Sequence, residues 1–267
     1  MIKPREIQNR AREIGVRDQQ IEKDYVLSWI LQGIVQHPQL SKQIVFKGGT
    51  VLKKVYFDDY RFSEDLDFTS LNNETLNDQF FEWFEEVFEY IEEEANIPLE
   101  ILADSEHKDG GINFYISYVG PLGGIGANKR IKVDISRSEK LEFEPVQQRV
   151  ICSYSDLEEH QLLCYSLDEV LIEKMRSVMQ RMQARDLYDI WYLLEVHGIE
   201  LDFLLDEFKA KCENKGINPE EFTAKLEQRL PQYKGRWQKT MKDQIRNLPD
   251  FAQVERELMR YIRKLEI

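Results

Sequence analysis

Residues 46–68, FKGGTVLKKVYFDDYRFSEDLDF, join a glycine turn to a closely spaced pair of aspartates. The run QIVFKG (43–48) predicts a short strand that ends in glycine, and TVLKKVYF (50–57) has the apolar spacing of a helix. The following DLDFTS alternates like a strand, so Asp65 and Asp67 share one face and the apolar residues beside them share the other. The predicted order is therefore strand, glycine turn, helix and strand.

A second strand carries a third aspartate. GINFYISYVG (111–120) and KRIKVDIS (129–136) predict paired strands, joined by the glycine-rich connection PLGGIGA (121–127). In the second strand, Asp134 lies on the face opposite the β-branched residues. The connection contains neither GKS nor GKT, so we predict a flexible hairpin there rather than a phosphate-binding loop.

These carboxylates have the chemistry of a metal site. Strand geometry places the Cα atoms of Asp65 and Asp67 about 6–7 Å apart, where like charges repel unless a cation lies between them. Mg²⁺ accepts carboxylate oxygens, usually together with substrate phosphates, and Asp134 on a neighbouring strand would complete a two-metal site for phosphoryl transfer. The glycine turn lets the backbone approach a triphosphate at a helix N-terminus. Each feature alone is common, and their joint order favours a nucleotidyltransferase site over an accidental pattern.

Composition limits the class of protein. The chain has 267 residues, of which 42% are hydrophobic, enough for a sizeable core. A net charge of −13 argues weakly against a protein that coats nucleic acid, although it leaves room for a local basic patch. The three cysteines are far apart and lack CxxC spacing, which indicates a reduced compartment and neither a zinc site nor a disulfide framework. With no long apolar segment and no signal-like N-terminus, we expect a cytoplasmic protein without a membrane partner.

The predicted secondary structure of the second half of the chain differs from that of the first half. Residues 5–36 and 77–95 have helical patterns in the first half, and from about residue 166 every predicted element is a helix. Ser166 and Glu169 predict a capping box at the first of these helices. The predicted organisation is an α/β domain over residues 1–155, including N-terminal helices, and an α-helical domain over residues 156–267.

Four segments resemble one family of toxins. They are EKDYVLSWIL (22–31), the stretch 46–68, KVDIS (132–136) and EKMRSVMQRMQARDLYDIWYLL (173–194). Together they are similar to the AbiEii/AbiGii toxin family of type IV toxin–antitoxin and abortive-infection systems, within the DNA polymerase β-like nucleotidyltransferase superfamily. The resemblance covers most of residues 20–195, and its most specific part is the RxSxDLDF block. It does not extend to the C-terminal 70 or so residues.

The resemblance implies a fold and a set of site residues. The fold is α+β, with a nucleotidyltransferase-like mixed sheet and flanking helices followed by an α-helical half that contributes to the cleft. Asp65 and Asp67 match the metal-binding pair, and Asp134 is the third carboxylate by superfamily analogy. The remaining implied site residues are the phosphate-holding turn Gly48, Gly49 and Thr50, Arg61 and Ser63 beside the pair, Lys174 for the triphosphate, the fourth-motif Asp186, and its neighbour Asp189. Two departures concern the phosphate geometry: the gap between turn and aspartates is longer than usual, and Thr50 stands where many members have serine.

The resemblance also implies an activity. The expected enzyme uses a two-ion Mg²⁺ site to transfer NMP from an NTP to a hydroxyl of RNA, the tRNA 3′ end in particular. It would act as a monomeric toxin, with an antitoxin encoded nearby that forms no stable complex with it. A basic path for RNA would use Lys129, Arg130, Arg176, Arg181 and Arg185.

Several alternatives stay open at this level. The fold is also suited to sequestering an NTP or a partner without catalysis, or to modifying a small molecule, which the acidic surface favours over RNA. Lys174 has an ordinary interpretation as a solvated charge paired with Glu173 and Asp189. Arg61 and Arg185 are equally suited to holding their loop and helix by salt bridges.

Overall fold

The computed structural model divides the chain into two compact units. Unit 1 comprises Met1–Glu139 and Pro145–Cys164, and unit 2 comprises Lys140–Glu144 and Tyr165–Ile267. The structure describes residues 1–71, 78–106, 111–126, 128–137 and 139–265, without the side chains of 78 and 103–106. Residue 77 of the helix expected at 77–95 and residue 127 of the glycine-rich connection lie outside the described residues.

The helices of unit 1 begin with a break that the sequence analysis missed. Residues 5–36 form two helices, α1 (Pro4–Ile14) and α2 (Asp18–Gln36), because Gly15 adopts a left-handed conformation with φ of 82° and caps α1. The other helices are α3 (Leu40–Gln43), α4 (Gly48–Val51), which continues as a π-helical turn over Leu52–Tyr56, and α5 (Asp78–Ala95). The aromatic stripe of α5 packs on the sheet, with the ring of Phe84 5.0 Å from that of Phe114.

Among the described residues, seven strands form the sheet of unit 1. They are β1 (Ile44–Lys47), β2 (Asp65–Ser70), β3 (Leu99–Glu106), β4 (Ile112–Tyr118), β5 (Arg130–Ser136), β6 (Val146–Arg149) and β7 (Gln161–Cys164). Their order is β3-β4-β5-β2-β1-β7-β6. The pairs β2–β5 and β1–β7 are parallel and the others antiparallel, so the predicted mixed sheet is confirmed.

Alternation determines which face of each strand is buried. Ile131, Val133 and Ile135 of β5 are buried, as are Leu66 and Phe68 of β2. The polar residues between them lie on the opposite face and are half-buried. The antiparallel pairing of β4 with β5 agrees with the sequence analysis. The two central strands therefore present their aspartates on one face because their apolar residues must fill the core on the other.

Three strands were not predicted, and one of them moves the boundary between the units. β7 pairs with β1 at Phe46 and Cys164, so the chain stays in the sheet until Cys164 and not only until residue 155. β6, with the sequence VQQR, lies at the edge of the sheet and is mostly exposed, so it has no apolar alternation to reveal it.

Unit 2 is built of helices, as predicted. They are α6 (Leu167–Gln180), α7 (Ala184–Trp191) with a π-helical turn over Tyr192–Val196, α8 (Leu205–Glu213), α9 (Phe222–Met241) and α10 (Phe251–Ile262), with short 3₁₀ turns at Leu201–Leu204 and Pro219–Glu221. Within the described part of the chain, none of the helices is long and apolar enough to span a bilayer.

A buried carboxylate attaches residues 140–144 to unit 2. One oxygen of Glu169 accepts hydrogen bonds from the backbone N–H groups of Glu142 and Phe143, both at 2.9 Å, and the other lies 2.5 Å from Lys211 Nζ. Lys211 also donates to the carbonyl of Lys140 at 2.6 Å. The predicted capping box is therefore half right: Ser166 accepts from the Glu169 N–H at 3.2 Å, but the Glu169 side chain binds another segment.

Candidate active site

The register of the sheet brings the three predicted carboxylates onto one face. Asp67 lies opposite Lys47 of β1 on one side and opposite Asp134 of β5 on the other, and Asp134 lies opposite Asn113 of β4. Residues directly opposite each other in neighbouring strands point to the same face and lie about 5 Å apart. Asp65 joins this face two positions before Asp67 and lies opposite Lys132. We call Asp65, Asp67 and Asp134 the carboxylate face.

The negative charges of Asp65, Asp67 and Asp134 all act on the side chain of Lys132. Its Nζ lies 3.1 Å from Asp134 Oδ2. Partial burial alone would lower the pKa of Lys132, but the hydrogen bond to Asp134 and the charges of Asp134, Asp67 and Asp65 raise it above its ordinary value. The side chains of Lys132 and Asp134 are 36% and 27% exposed, so a ligand can approach this face from solvent. Lys132 lies two residues before Asp134 on β5, and alternation along the strand places both on the same face.

The glycine turn packs against this face and leaves no room for side chains. Gly48 has a φ of 77°, and a Cβ atom there would overlap Asp67 Oδ2. A Cβ on Gly49 would overlap the guanidinium of Arg61, which is itself buried. The structure thus brings Gly48, Gly49 and Arg61 together with Asp67, and it requires glycine at both positions for steric reasons.

Thr50 supports the fold around the turn. The Thr50 hydroxyl donates a hydrogen bond of 2.5 Å to the main-chain carbonyl of Asp65, which ties the start of α4 to the start of β2. Both Thr50 and Ser63 are buried. In this arrangement the Thr50 hydroxyl positions Asp65 and is not presented at the surface.

The carboxylate face has the right ligand type for a hard divalent cation, in an open arrangement. Carboxylate oxygens on neighbouring strands are the donors that Mg²⁺ prefers. Among the described residues, however, no three His, Cys, Asp or Glu side chains are gathered closely enough to hold a metal ion. Asp134 is instead hydrogen bonded to Lys132. The residues fit the predicted ions in chemistry and share a face, but their side chains do not converge on one point.

A second group of predicted residues forms a buried ion network in unit 2. Lys174 Nζ lies 2.7 Å from Asp186 Oδ1 and 2.9 Å from Asp189 Oδ2, and Arg181 Nε lies 2.8 Å from Asp186 Oδ2. Asp186, Asp189 and Lys174 are buried. Burial alone would raise the pKa of Asp186, but the charges and hydrogen bonds of Lys174 and Arg181 hold it below its ordinary value. We call these four residues the Lys174 network.

The comparison with protein families decides the identity of the chain. Residues 29–259 match the sequence model of a family described as nucleotidyl transferase AbiEii toxin, type IV TA system. The chain belongs to this family. It is therefore a nucleotidyltransferase of the AbiEii toxin family, and its fold is the one that the resemblance implied. The match continues to residue 259, well beyond the end expected near residue 195.

Solved structures show the same fold at low sequence identity. MenT4, a nucleotidyltransferase toxin from Mycobacterium tuberculosis H37Rv, superposes with a TM-score of 0.63 at 18% identity and covers 100% of this chain and 91% of its own. JHP933 from Helicobacter pylori superposes with a TM-score of 0.57 at 15% identity, covering 93% of this chain and 92% of its own. A search of curated protein sequences gives no match.

Most cations predicted for an RNA path in this AbiEii family member have acidic or polar partners within the protein. Lys129 Nζ lies 2.6 Å from Glu22 Oε2, and Arg176 Nη1 donates to Gln180 Oε1 at 2.7 Å. Arg181 belongs to the Lys174 network. The interpretation of Lys174 as a solvated charge is wrong, because Lys174 is buried between two carboxylates. These pairings neutralise much of the predicted path.

The buried acids of α2 were not predicted from the sequence. Glu22 accepts from Lys129 Nζ and from the Leu122 N–H at 2.7 Å, so it anchors the glycine-rich connection that was expected to be flexible. Asp24 lies 2.7 Å from Lys54 Nζ, and both side chains are buried. Burial lowers the pKa of Lys54 even though Asp24 opposes this effect. Acidic residues at the start of the apolar centre of α2 were the available signal, since a buried carboxylate requires a cationic partner.

Proposed function

We propose that this AbiEii family enzyme uses Mg²⁺ to transfer NMP from an NTP to a hydroxyl group of RNA, with the tRNA 3′ end as the acceptor. The observation that carries the proposal is the register of Asp67 with Asp134, next to a glycine turn that has no side chains. Three half-buried carboxylates at this spacing repel one another, and a divalent cation with a bound triphosphate would relieve the repulsion. The choice of RNA as the acceptor is supported by the resemblance to the AbiEii toxin family.

The reaction follows from groups on this face. The oxygen of the acceptor hydroxyl attacks the α-phosphorus, a new P–O bond forms, and the bond to the bridging oxygen breaks so that pyrophosphate leaves. Asp134 takes the hydroxyl proton. Asp65 and Asp67 would hold Mg²⁺, which when bound neutralises the triphosphate charge. The bare backbone at Gly48 and Gly49 gives the phosphates room. The contacts of Lys174 and Asp186 with the triphosphate stay a prediction.

Radioactive transfer tests this proposal. Each α-labelled NTP is incubated with the protein, Mg²⁺ and total tRNA, and the wild type is compared with Asp67→Asn, which keeps the shape of the side chain but removes its charge. We expect label in RNA from the wild type and a loss of roughly a thousandfold in Asp67→Asn, the scale on which removing a group that stabilises transition-state charge acts. Asp202→Asn, at an exposed carboxylate of unit 2, should retain full transfer.

Other outcomes would favour the alternatives. Binding of NTP without transfer to any acceptor would identify a protein that sequesters nucleotides. Label in a small hydroxylated acceptor, but not in RNA, would identify a small-molecule nucleotidyltransferase. Equal transfer by the wild type and Asp67→Asn would refute the assignment of the carboxylate face.

The cellular setting is part of the same proposal. An enzyme that consumes NTP and modifies RNA would act in the cytoplasm, as a monomer, opposed by an antitoxin encoded nearby that does not bind it stably. Size-exclusion chromatography of the two co-expressed proteins tests this point. Separate elution with neutralised toxicity would support it, and co-elution would contradict it.

A further inference from the structure

The charge of the chain is distributed unevenly. The whole chain carries −13, yet residues 228–246, QRLPQYKGRWQKTMKDQIR, contain six Lys or Arg and one acid, a net charge of +5. These residues form the C-terminal part of α9 and the turn after it. A concentrated positive segment in an acidic protein requires its own explanation, because solubility is already provided by the excess of acids.

The cations of this segment differ in their contacts. Arg229 donates to the carbonyl of Val178 and is committed to packing α9 against α6. Arg236, Lys239 and Lys242 are exposed, and within the described part of the chain none of them forms an ion pair or side-chain hydrogen bond. They follow one another at intervals of three residues, so they form one row along the helix. We call these three residues the α9 row.

A glycine lies at the N-terminal end of this row. Gly235 is an exposed residue inside α9, and a Cβ atom there would meet no other atom within 4 Å. Glycine inside a helix destabilises it by about 1 kcal/mol relative to alanine, and no neighbour of Gly235 requires it. It lies four residues before Lys239 and seven before Lys242, on the same face. A bare patch of backbone beside these cations permits close approach of a ligand.

Helix α9 packs against the segments that carry the Lys174 network within unit 2. The Tyr233 hydroxyl donates to the carbonyl of Arg181 at 3.5 Å. The ring centroids of Trp237 and Tyr188 are 6.3 Å apart, and the indole N–H of Trp237 donates to the carbonyl of Pro249 at 2.9 Å. The buried face of α9 is thus fixed by aromatic residues, while the opposite side carries the cations. The dipole at the end of a helix accounts for a cation in its last turn, but not for Arg236, which precedes that turn.

We propose that the α9 row and Gly235 form a docking surface for the phosphate backbone of RNA. The inference deepens the proposed function, on which the choice of RNA over other polyanions rests. Phosphates repeat along an RNA strand, and a row of unpaired cations can replace the counterions condensed on them. Most of the cations that the sequence analysis selected have partners within the protein, whereas the α9 row has none among the described residues.

The salt dependence of RNA binding tests the docking surface. Binding of end-labelled total tRNA is measured over a range of salt concentrations for the wild type and for Arg236→Gln/Lys239→Gln/Lys242→Gln. We expect weaker binding and a decrease of about 2–3 in the magnitude of the slope of log K against log salt concentration, close to one for each phosphate that the variant no longer neutralises. Circular dichroism verifies that the variant is folded.

A matched control removes the same number of charges from α10. Arg260 lies 2.8 Å from Glu195, Arg263 lies 3.0 Å from Glu227, and Arg256 is exposed near Glu257. Arg256→Gln/Arg260→Gln/Arg263→Gln should bind tRNA with a slope close to that of the wild type. Equal losses in the two triple variants would show that only bulk charge matters and would overturn the proposal.

Two further measurements separate the docking surface from the catalytic proposal. Asp67→Asn should retain tRNA binding although it loses transfer. If the wild type transfers label to RNA while the α9 triple variant binds tRNA as the wild type does, the docking surface is refuted and the proposed function stands. If no transfer occurs but the α9 variant alone loses tRNA binding, the surface stands and the catalytic proposal fails.

Binding to vesicles of equal parts phosphatidylserine and phosphatidylcholine tests a membrane as the alternative occupant. If the α9 triple variant loses vesicle binding that the wild type shows, but binds tRNA as the wild type does, the row is assigned to membranes instead.

Discussion

The carboxylate face and the Lys174 network use the same residue types in opposite ways. The network balances Lys174 and Arg181 against Asp186 and Asp189, and all but Arg181 are buried. The carboxylate face places Asp67 and Asp134 in a cross-strand row with Lys47 and places Asp65 opposite Lys132, and it is partly open to solvent. Buried charges persist only when paired, whereas an open group with excess negative charge can accept a cation or a substrate. The two groups therefore differ in charge balance and in access to solvent, which supports the proposed role of the carboxylate face in nucleotidyl transfer.

The largest effect on stability is expected from breaking the network. Asp186→Ala would remove the ion pairs of Asp186 with Lys174 and Arg181, and loss of one member of a buried ion pair costs about 3–5 kcal/mol. Chemical denaturation measures this loss. Asp67→Asn should change the free energy of unfolding by less than about 1 kcal/mol, and the exposed control Asp202→Ala by less than about 0.5 kcal/mol. Similar losses for Asp186→Ala and Asp67→Asn would erase the distinction between the two groups.

A smaller effect is expected at the glycine turn. Gly48→Ala places a Cβ atom on a residue with φ of 77° and against the Asp67 carboxylate. We expect a loss of about 1–3 kcal/mol in stability and, because Asp67 must move, a decrease on the order of a hundredfold in nucleotidyl transfer.

Gly124 provides the matched control for this substitution. Its φ is 79°, but a Cβ atom there would meet nothing within 4 Å. Gly124→Ala should therefore show comparable backbone strain with unchanged transfer. If both variants transfer equally well, contact between the turn and Asp67 is not important for activity.

The smallest effect is a difference in acid sensitivity. Because the pKa of Asp186 in the folded protein is below its ordinary value of 3.8, its contribution to stability is fully present above about pH 4 and is lost as the pH falls through the folded-state pKa. Asp186→Asn lacks this proton linkage. The gap in unfolding free energy between the wild type and Asp186→Asn should narrow as the pH is lowered from neutrality to about pH 3. A gap that is constant with pH would show that the charge of Asp186 does not contribute.

Local patterns predicted the central part of the sheet well. Strand alternation identified β2, β4 and β5, since each has a strictly apolar face that must be buried. β6 gave no such signal because it lies at an edge and is mostly exposed. The break at Gly15 was missed because apolar spacing continues on both sides of it, and only a positive φ at the glycine separates α1 from α2.

The partners of charged residues were much harder to predict. Glu169 was expected to cap its own helix and instead binds Lys211 and the backbone of residues 142 and 143. Lys174 was paired correctly with Asp189, but the burial of both residues with Asp186 was not foreseen. A charged side chain has many possible partners in sequence, and only packing selects the one that compensates its desolvation.

The sequence by itself determined that Asp65 and Asp67 share a face and that a glycine turn precedes them, because alternation and positive φ are properties of a few adjacent residues. It also contained the family pattern and the basic segment of α9. Only the tertiary structure decided that Asp67 lies opposite Asp134, that Lys174 is enclosed by carboxylates, and that residues 140–144 join the helical unit. These features depend on strand register and burial, which are set by contacts between residues far apart in the chain.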